Sequence, residues 1–256
     1  MLQYSMTSLA PTIAGVLGLP APALSSPGSI AQIVGGLASA ERLAVIAPDA
    51  LGLLILRRWR DEMPFLTSLC QANCLVMRSV MPSITPVNFA TMVTGVERPV
   101  HGIGAYTDGF QCETLFDVLR EGYGLSAGVG QKGYTGGELL ARYADIPGVA
   151  ATNTDDEVED ITLRIAREHL PLFIIVQLGS TDDAFHKFGP SSPNVVPTLR
   201  ETDERLRRMV ETLTGLGYAT IITADHGQHD TETGGSHGTD SDEDCLVPCT
   251  WVSPGE

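Results

Sequence analysis

Short apolar runs, rich in β-branched residues, recur along the chain and are each closed by a polar or glycine-containing break. Six of them predict strands: RLAVIAP (42–48), CLVMRSV (74–80), SAGVG (126–130), PLFIIVQLG (171–179), ATIITA (219–224) and LVPCTWV (246–252). They are continuously apolar rather than alternating, as strands buried on both faces are. Helix-period segments lie between them, at about 87–94, 114–122, 156–169 and 193–215. Strands alternating with helices predict an α/β fold, a doubly wound and mostly parallel sheet with helices on both faces. A chain of 256 residues, 43% of them hydrophobic, can bury one sizeable core. The expectation is a single domain over 1–256, with a helical N-terminal segment (1–40) ahead of the core (41–256).

Charge narrows the partners. The formal net charge is -15, so the surface repels polyanions, and a large nucleic acid is not expected as a ligand. The apolar N-terminus has no Lys or Arg before Arg42 and is broken by Pro11, Gly15, Gly18 and Pro20, unlike a secretory leader. No stretch reaches the roughly 20 apolar residues of a membrane span. A soluble, cytoplasmic protein without a membrane partner is expected. Five cysteines, an odd number, do not make a disulfide framework. Cys70/Cys74 and Cys245/Cys249 share a C-x3-C spacing, and buried reduced thiols are a better reading of them than a four-thiolate zinc site.

Two acidic runs have structural readings. TDDEVED (154–160) opens a helix whose last turn carries Arg167 and His169, which complements the helix dipole. TDSDED (239–244) lacks the glycine and closing glutamate of a calcium loop and is read as a solvated loop.

In an open α/β sheet ligands bind beyond the carboxyl ends of the strands, and here those ends share one chemistry. Asp49 closes the first strand; Asp182, Asp183 and His186 follow the fourth; Asp225 and His226 follow the fifth, with His237 soon after. Three strand ends offering carboxylate and imidazole, with no cysteine among them, suit zinc, manganese or iron. Some seven ligands exceed the needs of one four-coordinate ion, so two metals are the natural count.

The stretch VMPSITPVNFATMVTG (80–95) adds a hydroxyl. Thr85 precedes Pro86 and an apolar-periodic helix, which predicts Thr85 as N-cap and Pro86 as the first helical residue. A helix N-terminus faces anions with free N–H groups and its dipole, and a hydroxyl placed there can act as a nucleophile toward phosphorus.

The order of Asp49, PSITPVN with Thr85, GVERPVHGI, TDDAFHKFGP, TADHG and SHG resembles the alkaline phosphatase superfamily. Within it, the motifs resemble the nucleotide pyrophosphatase/phosphodiesterases and phosphonoacetate hydrolase. The resemblance implies an alkaline phosphatase-like fold and two divalent transition metals, zinc by preference, manganese or iron otherwise. One would sit on Asp182, His186 and His237, the other on Asp49, Asp225 and His226 with the Thr85 oxygen. It implies phosphoryl-transfer hydrolysis of a small phosphate ester or pyrophosphate through a phosphothreonyl intermediate on Thr85, with Asn88 bonding a phosphoryl oxygen. His101 matches a family loop and is taken as structural, and His229 as a neighbour of the site. Phosphonoacetate hydrolysis and phosphomonoester hydrolysis are the alternatives at the same site; a non-catalytic metal-binding member is another. Lys132, after the third strand, is a candidate for binding a substrate anion. The glycines around it (Gly130, Gly133, Gly136, Gly137) do not form a P-loop, which needs G-K-[ST].

The stretch SMTSLAPTIAGVLGLPAP near the N-terminus resembles the helix that closes this superfamily, while few residues follow Gly238. A circular permutation is the expectation, with that helix moved to the front and residues 8–18 packed near 246–252.

Overall fold

A computed structural model of the chain describes residues 3–255. Its strands are β1 (Gln3–Ser5), β2 (Arg42–Pro48), β3 (Leu75–Arg78), β4 (Ser126–Gln131), β5 (Ile146–Ala150), β6 (Phe173–Leu178), β7 (Tyr218–Thr223), β8 (His229–Asp230), β9 (Gly235–Ser236) and β10 (Leu246–Val252). The helices of the first half are α1 (Leu9–Leu17), α2 (Ala31–Gly36), α3 (Leu53–Arg58), α4 (Pro64–Ala72), α5 (Thr85–Thr94) and α6 (Arg98–His101). Those of the second half are α7 (Leu115–Arg120), α8 (Ala141–Tyr143), α9 (Asp155–Glu168), α10 (Ser180–Phe188), α11 (Val196–Gly215) and α12 (Asp242–Cys245), with a short π-helix over Gly136–Leu140.

Eight strands form one sheet in the order β1-β3-β10-β7-β2-β6-β4-β5, and β8 and β9 make a separate two-stranded ribbon. In the eight-stranded sheet β10 runs antiparallel to both β3 and β7, and the other pairings are parallel; β8 and β9 are antiparallel. The expected α/β architecture is what the chain adopts. Helices pack around the sheet in two groups: α4, α9 and α10 each touch α11, α2 and α5 each touch α1, and the central β2 is touched by both α1 and α11. One apolar core runs from Met6 to Val252. β2, with Val45 and Ile46 fully buried, lies between β7 and β6, which explains its unbroken apolar sequence.

Three features differ from expectation. β1 makes the N-terminal segment part of the sheet, beside β3. A three-residue strand of sequence QYS carries no apolar run to reveal it. β5 (IPGVA) is broken by proline and glycine, as an edge strand tolerates. TDSDED is not simply a solvated loop: Ser241 caps α12, and Asp244 is fully buried. As for the N-terminal segment, α1 leans on α2, α5 and β2, and it is Gly36, at the end of α2, that lies against Trp251 of β10.

The parallel strands bring Asp49, Asp182 and Asp225 to one edge, from the adjacent strands β2, β6 and β7. Glycine backbones make the crossing there tight: a Cβ on Gly227 would lie 2.0 Å from the Glu243 oxygen, and one on Gly52 2.7 Å from the Gly227 Cα.

Candidate active site

Asp49 directly follows β2, and the next residue, Ala50, is fully buried at φ 60°, an uncommon conformation for a residue with a Cβ. It turns the Ala50 N–H onto Asp225 Oδ1 at 3.1 Å. The Thr181 hydroxyl donates to the Asp49 carbonyl at 2.6 Å, and the Gln177 amide donates to Asp49 Oδ2. Ser79 donates to the Asp225 carbonyl at 2.6 Å. The loops after four strands are thereby tied to one another by buried bonds.

Thr85 is not an N-cap. The Asn88 N–H bonds the Ile84 carbonyl at 3.1 Å, so Ile84 is the cap and Thr85 the first helical residue. The Thr85 hydroxyl is therefore free of the helix and turns into the cluster, 3.1 Å from His226 Nε2 and 3.4 Å from Asp49 Oδ1. Asn88 is fully buried. Its Oδ1 accepts the Val80 N–H at 2.8 Å, and its amide nitrogen donates to the Val80 and Ile84 carbonyls. It shapes the loop that delivers Thr85.

Three histidines share one orientation. Nδ1 of His226 lies 2.9 Å from the Gly227 oxygen, that of His237 3.1 Å from the Ser83 oxygen, and that of His186 3.1 Å from the Gly235 oxygen. A carbonyl only accepts, so each Nδ1 carries the proton and each Nε2 presents a lone pair. Those lone pairs face carboxylates: His226 Nε2 lies 3.2 Å from Asp225 Oδ2 and 3.5 Å from Asp49 Oδ1; His186 Nε2 lies 3.3 Å and His237 Nε2 3.7 Å from Asp182 Oδ1. Asp225 Oδ2 is buried without a hydrogen-bond partner. A lone pair facing a buried carboxylate oxygen is unfavourable unless a cation sits between them, and backbone-anchored imidazoles are how metal ligands are oriented.

The electrostatics agree. Burial, then the charges of Asp225 and Asp182, push the Asp49 carboxyl well above the usual range. Burial pushes Asp182 up to about 6. Burial, then the neighbouring His226, holds His237 down to about 3. The site is short of positive charge, and a divalent cation fits that deficit.

Two clusters of ligand atoms form among the described residues: Asp49, Asp225 and His226, as expected, and Asp182, His226 and His237. The second differs from expectation in one member. His226 is shared, its ring stacked on His237 at 4.0 Å, while His186 stands at the margin and is more exposed. His229 takes no part: its Nδ1 bonds Asp244 at 2.7 Å, and Asp244 also accepts from Thr239.

Beside Thr85 is a recess of about 220 Å³, lined by Asp49, Thr85, Tyr106, Tyr134, Gln177 and Asp182 among others. Lys132 is exposed, and its neighbours Gly133 and Tyr134 line the recess. Four contributors were missed in the sequence. Gln177 joins Asp49 to the Gly136 N–H; Tyr134 donates to Asp183 at 2.8 Å; Tyr106 is part of the wall. Asp155 accepts from Gly179, Ser180 and Gln131, so a residue read as dipole complement in fact anchors the start of α10. A fully buried glutamine inside an apolar strand was the available signal for Gln177.

The family model for type I phosphodiesterase / nucleotide pyrophosphatase matches residues 43–111 and 137–248. A venom phosphodiesterase of Naja atra is 25% identical over 221 residues, 72% of this chain and 26% of its own length. A crystal structure of phosphonoacetate hydrolase from Sinorhizobium meliloti 1021 with phosphonoacetate superposes with TM-score 0.58 at 19% identity, covering 73% of this chain and 56% of that one. Murine ectonucleotide pyrophosphatase / phosphodiesterase 5, as an inactive threonine-to-alanine variant in complex with AMP, superposes with TM-score 0.65 at 13% identity, covering 83% and 88%. The chain thus spans about a quarter of the venom protein and 56% of the phosphonoacetate hydrolase.

Proposed function

The chain belongs to the type I phosphodiesterase / nucleotide pyrophosphatase family, and from that premise we propose that it is a two-metal hydrolase of small phosphodiesters or pyrophosphates, with Thr85 as nucleophile. The observation that carries the proposal is the Thr85 hydroxyl, released from capping its own helix and aimed at the Asp/His cluster, 3.1 Å from His226 Nε2.

Asp49, Asp225 and His226, with the Thr85 oxygen, would hold one cation, and Asp182, His186 and His237 the other. Zinc suits the set of carboxylates and imidazoles, with manganese or iron as substitutes. Bound there, the cations supply charge for the phosphoryl oxygens and acidify adjacent hydroxyl groups. Thr85 Oγ1 attacks phosphorus in line with the leaving oxygen, and water then cleaves the phosphothreonyl ester. The Thr85 oxygen already lies 3.1 Å from His226 Nε2 and 3.4 Å from Asp49 Oδ1, so it needs no large movement to join those two among the ligands of the first cation. Asn88 holds the Val80–Ile84 loop so that this hydroxyl stays in register, and its expected bond to a phosphoryl oxygen would require its amide to exchange partners. Lys132, beside Gly133 of the recess, is our candidate for an anionic group at the distal end of the substrate. A cytoplasmic, reducing compartment is supported by five free cysteines; no helix among the described residues is long and apolar enough to cross a membrane. The closing-helix permutation stays a proposal, supported by the sequence pattern of α1.

The test is hydrolysis of a bis-aryl phosphate by the zinc- or manganese-loaded chain. Thr85→Ala should lower turnover by about 10³-fold or more while elemental analysis still finds metal. Faster turnover of aryl monoesters or of phosphonoacetate would move the assignment to those alternatives. Metal binding with no hydrolysis of any of the three would falsify the catalytic reading.

A further inference from the structure

β6 (FIIVQL) is buried from end to end, and Gln177 is the polar residue in it. Burying an amide is costly unless it is hydrogen-bonded, and Gln177, 1% exposed, is bonded at both of its ends. Its side-chain nitrogen donates to Asp49 Oδ2, and its side-chain oxygen accepts the Gly136 N–H. The reverse orientation would set the amide oxygen against a carboxylate and its NH2 group against an N–H, so these two partners permit only this one.

Sheet register brings the amide to Asp49. Gln177 pairs with Ala47 on β2, and Asp49 lies two residues beyond Ala47, the period at which an extended chain returns its side chains to the same face. Ala47 is small and fully buried, which leaves the glutamine a path along that face to the carboxylate. From the other side the π-helix presses close: a Cβ on Gly136 would stand 2.8 Å from the Gln177 Cβ, so glycine there is what lets a backbone N–H reach the amide. An apolar side chain would serve the sheet alone, as Ile175 does two residues earlier; the glutamine serves Asp49.

Asp49 Oδ2 is thereby occupied. The remaining oxygen, Oδ1, is the one that lies 3.4 Å from the Thr85 hydroxyl and 3.5 Å from His226 Nε2. On the two-metal reading above, we infer that Gln177 is a positioning residue: it makes Asp49 a one-oxygen ligand, with Oδ1 kept for the cation shared with Asp225, His226 and Thr85. The glutamine never touches the cation. It acts through Asp49, and Gly136 in turn holds the glutamine.

Zinc binding, read by competition with a chromophoric chelator, gives a test that does not depend on turnover. Gln177→Met keeps the length of the side chain and loses both bonds. It should weaken one zinc equilibrium by about 10–100-fold, the usual worth of a partner that orients a ligand, and leave the other unchanged. In an Asp49→Ala background the same substitution should change zinc affinity no further, since a residue that acts through Asp49 then has nothing to act on. Equal weakening of both equilibria, or an effect that persists without Asp49, overturns the assignment. Should the methionine variant fail to fold, the unmodified chain decides. In its zinc-loaded crystal Asp49 should bind metal through Oδ1 alone, with Oδ2 still on the Gln177 amide; coordination through Oδ2, or through both oxygens, refutes the role. A chain that binds no zinc removes this role and the proposed function together. One that binds zinc as stated but hydrolyses none of the three substrates removes the function alone, and Gln177 keeps its place behind Asp49.

Discussion

His101 should make the fold acid-sensitive in a way that one substitution removes. It is fully buried at the end of α6. Its Nδ1 accepts the Ile103 N–H at 3.0 Å, so the proton sits on Nε2, 3.3 Å from the Thr91 hydroxyl on α5. Burial, then the Arg98 charge, lowers its pKa from the ordinary 6.5 to about 4. The depressed pKa means that the folded state favours neutral imidazole. That contribution is complete above about 6.5 and is lost as the pH falls toward 4, because the unfolded chain takes up a proton that the folded one refuses. At about 1.4 kcal/mol per pH unit over some 2.5 units, the loss is roughly 3 kcal/mol. Urea unfolding at several pH values between about 7.5 and 4, on the unmodified chain and on His101→Gln, isolates it. Carboxylates and other histidines titrate alike in both proteins and cancel in the difference. The variant should be less stable at neutral pH and lose about 3 kcal/mol less on acidification. Parallel pH profiles would show that His101 is solvated or protonated in the fold, and the account given of the α5–α6 turn would be wrong.

Three further outcomes follow from the same geometry. Asn88→Ala strands the buried Val80 N–H and carbonyl and should cost about 2–3 kcal/mol in urea unfolding; a lowered kcat, with metal content unchanged, would separate loop positioning from ligand loss. Gly130→Ala should destabilise by about 2–3 kcal/mol, since the added Cβ would stand 2.6 Å from the Gly136 Cα and neither backbone can yield; an unchanged denaturation midpoint refutes that packing. Zinc at about a hundredfold over its Kd should stabilise the chain by about 2.7 kcal/mol, and Asp225→Asn should lose most of that gain while equalling or exceeding the parent's stability in chelator. A variant less stable than the parent without metal would mean that Asp225 Oδ2 is satisfied in some other way.

The sheet was legible because burial on both faces writes continuous apolar runs, as in β2, β6 and β7. The elements that escaped carry weaker marks. β1 is a short polar edge strand paired with β3, and β5 is interrupted by Pro147 and Gly148 at the sheet edge. The helix from Ser180 to Phe188 is not among the predicted helices, because its polar face is the site itself. The glycines near Lys132 lack the phosphate-loop pattern, and their purpose is visible only in three dimensions: Gly130, Gly136 and Gly137 let β4 and the following π-helix touch backbone to backbone.

At the site, legibility stops where the residue's partner is not its sequence neighbour. Asp49, Asp225 and His226 can be gathered from strand ends because sheet order does the gathering, and their ligand atoms lie within 4.8 Å of one another. Thr85 could not be placed on the right side of its helix boundary, since a threonine before proline serves equally as cap or first residue; only the Asn88-to-Ile84 bond decides it. The difference has a chemical consequence. A capping hydroxyl spends its oxygen on a helix N–H, whereas a first-turn hydroxyl keeps it available, and here that oxygen meets His226 Nε2. Similarly, the acidic run 154–160 can complement a helix dipole and still contribute one member, Asp155, that leaves its helix to hold Gly179 and Ser180. That carboxylate fixes where α10 begins, hence where Asp182 and His186 emerge. The position of these two ligands is therefore set from a helix remote in sequence, by a residue whose local role looked complete without it.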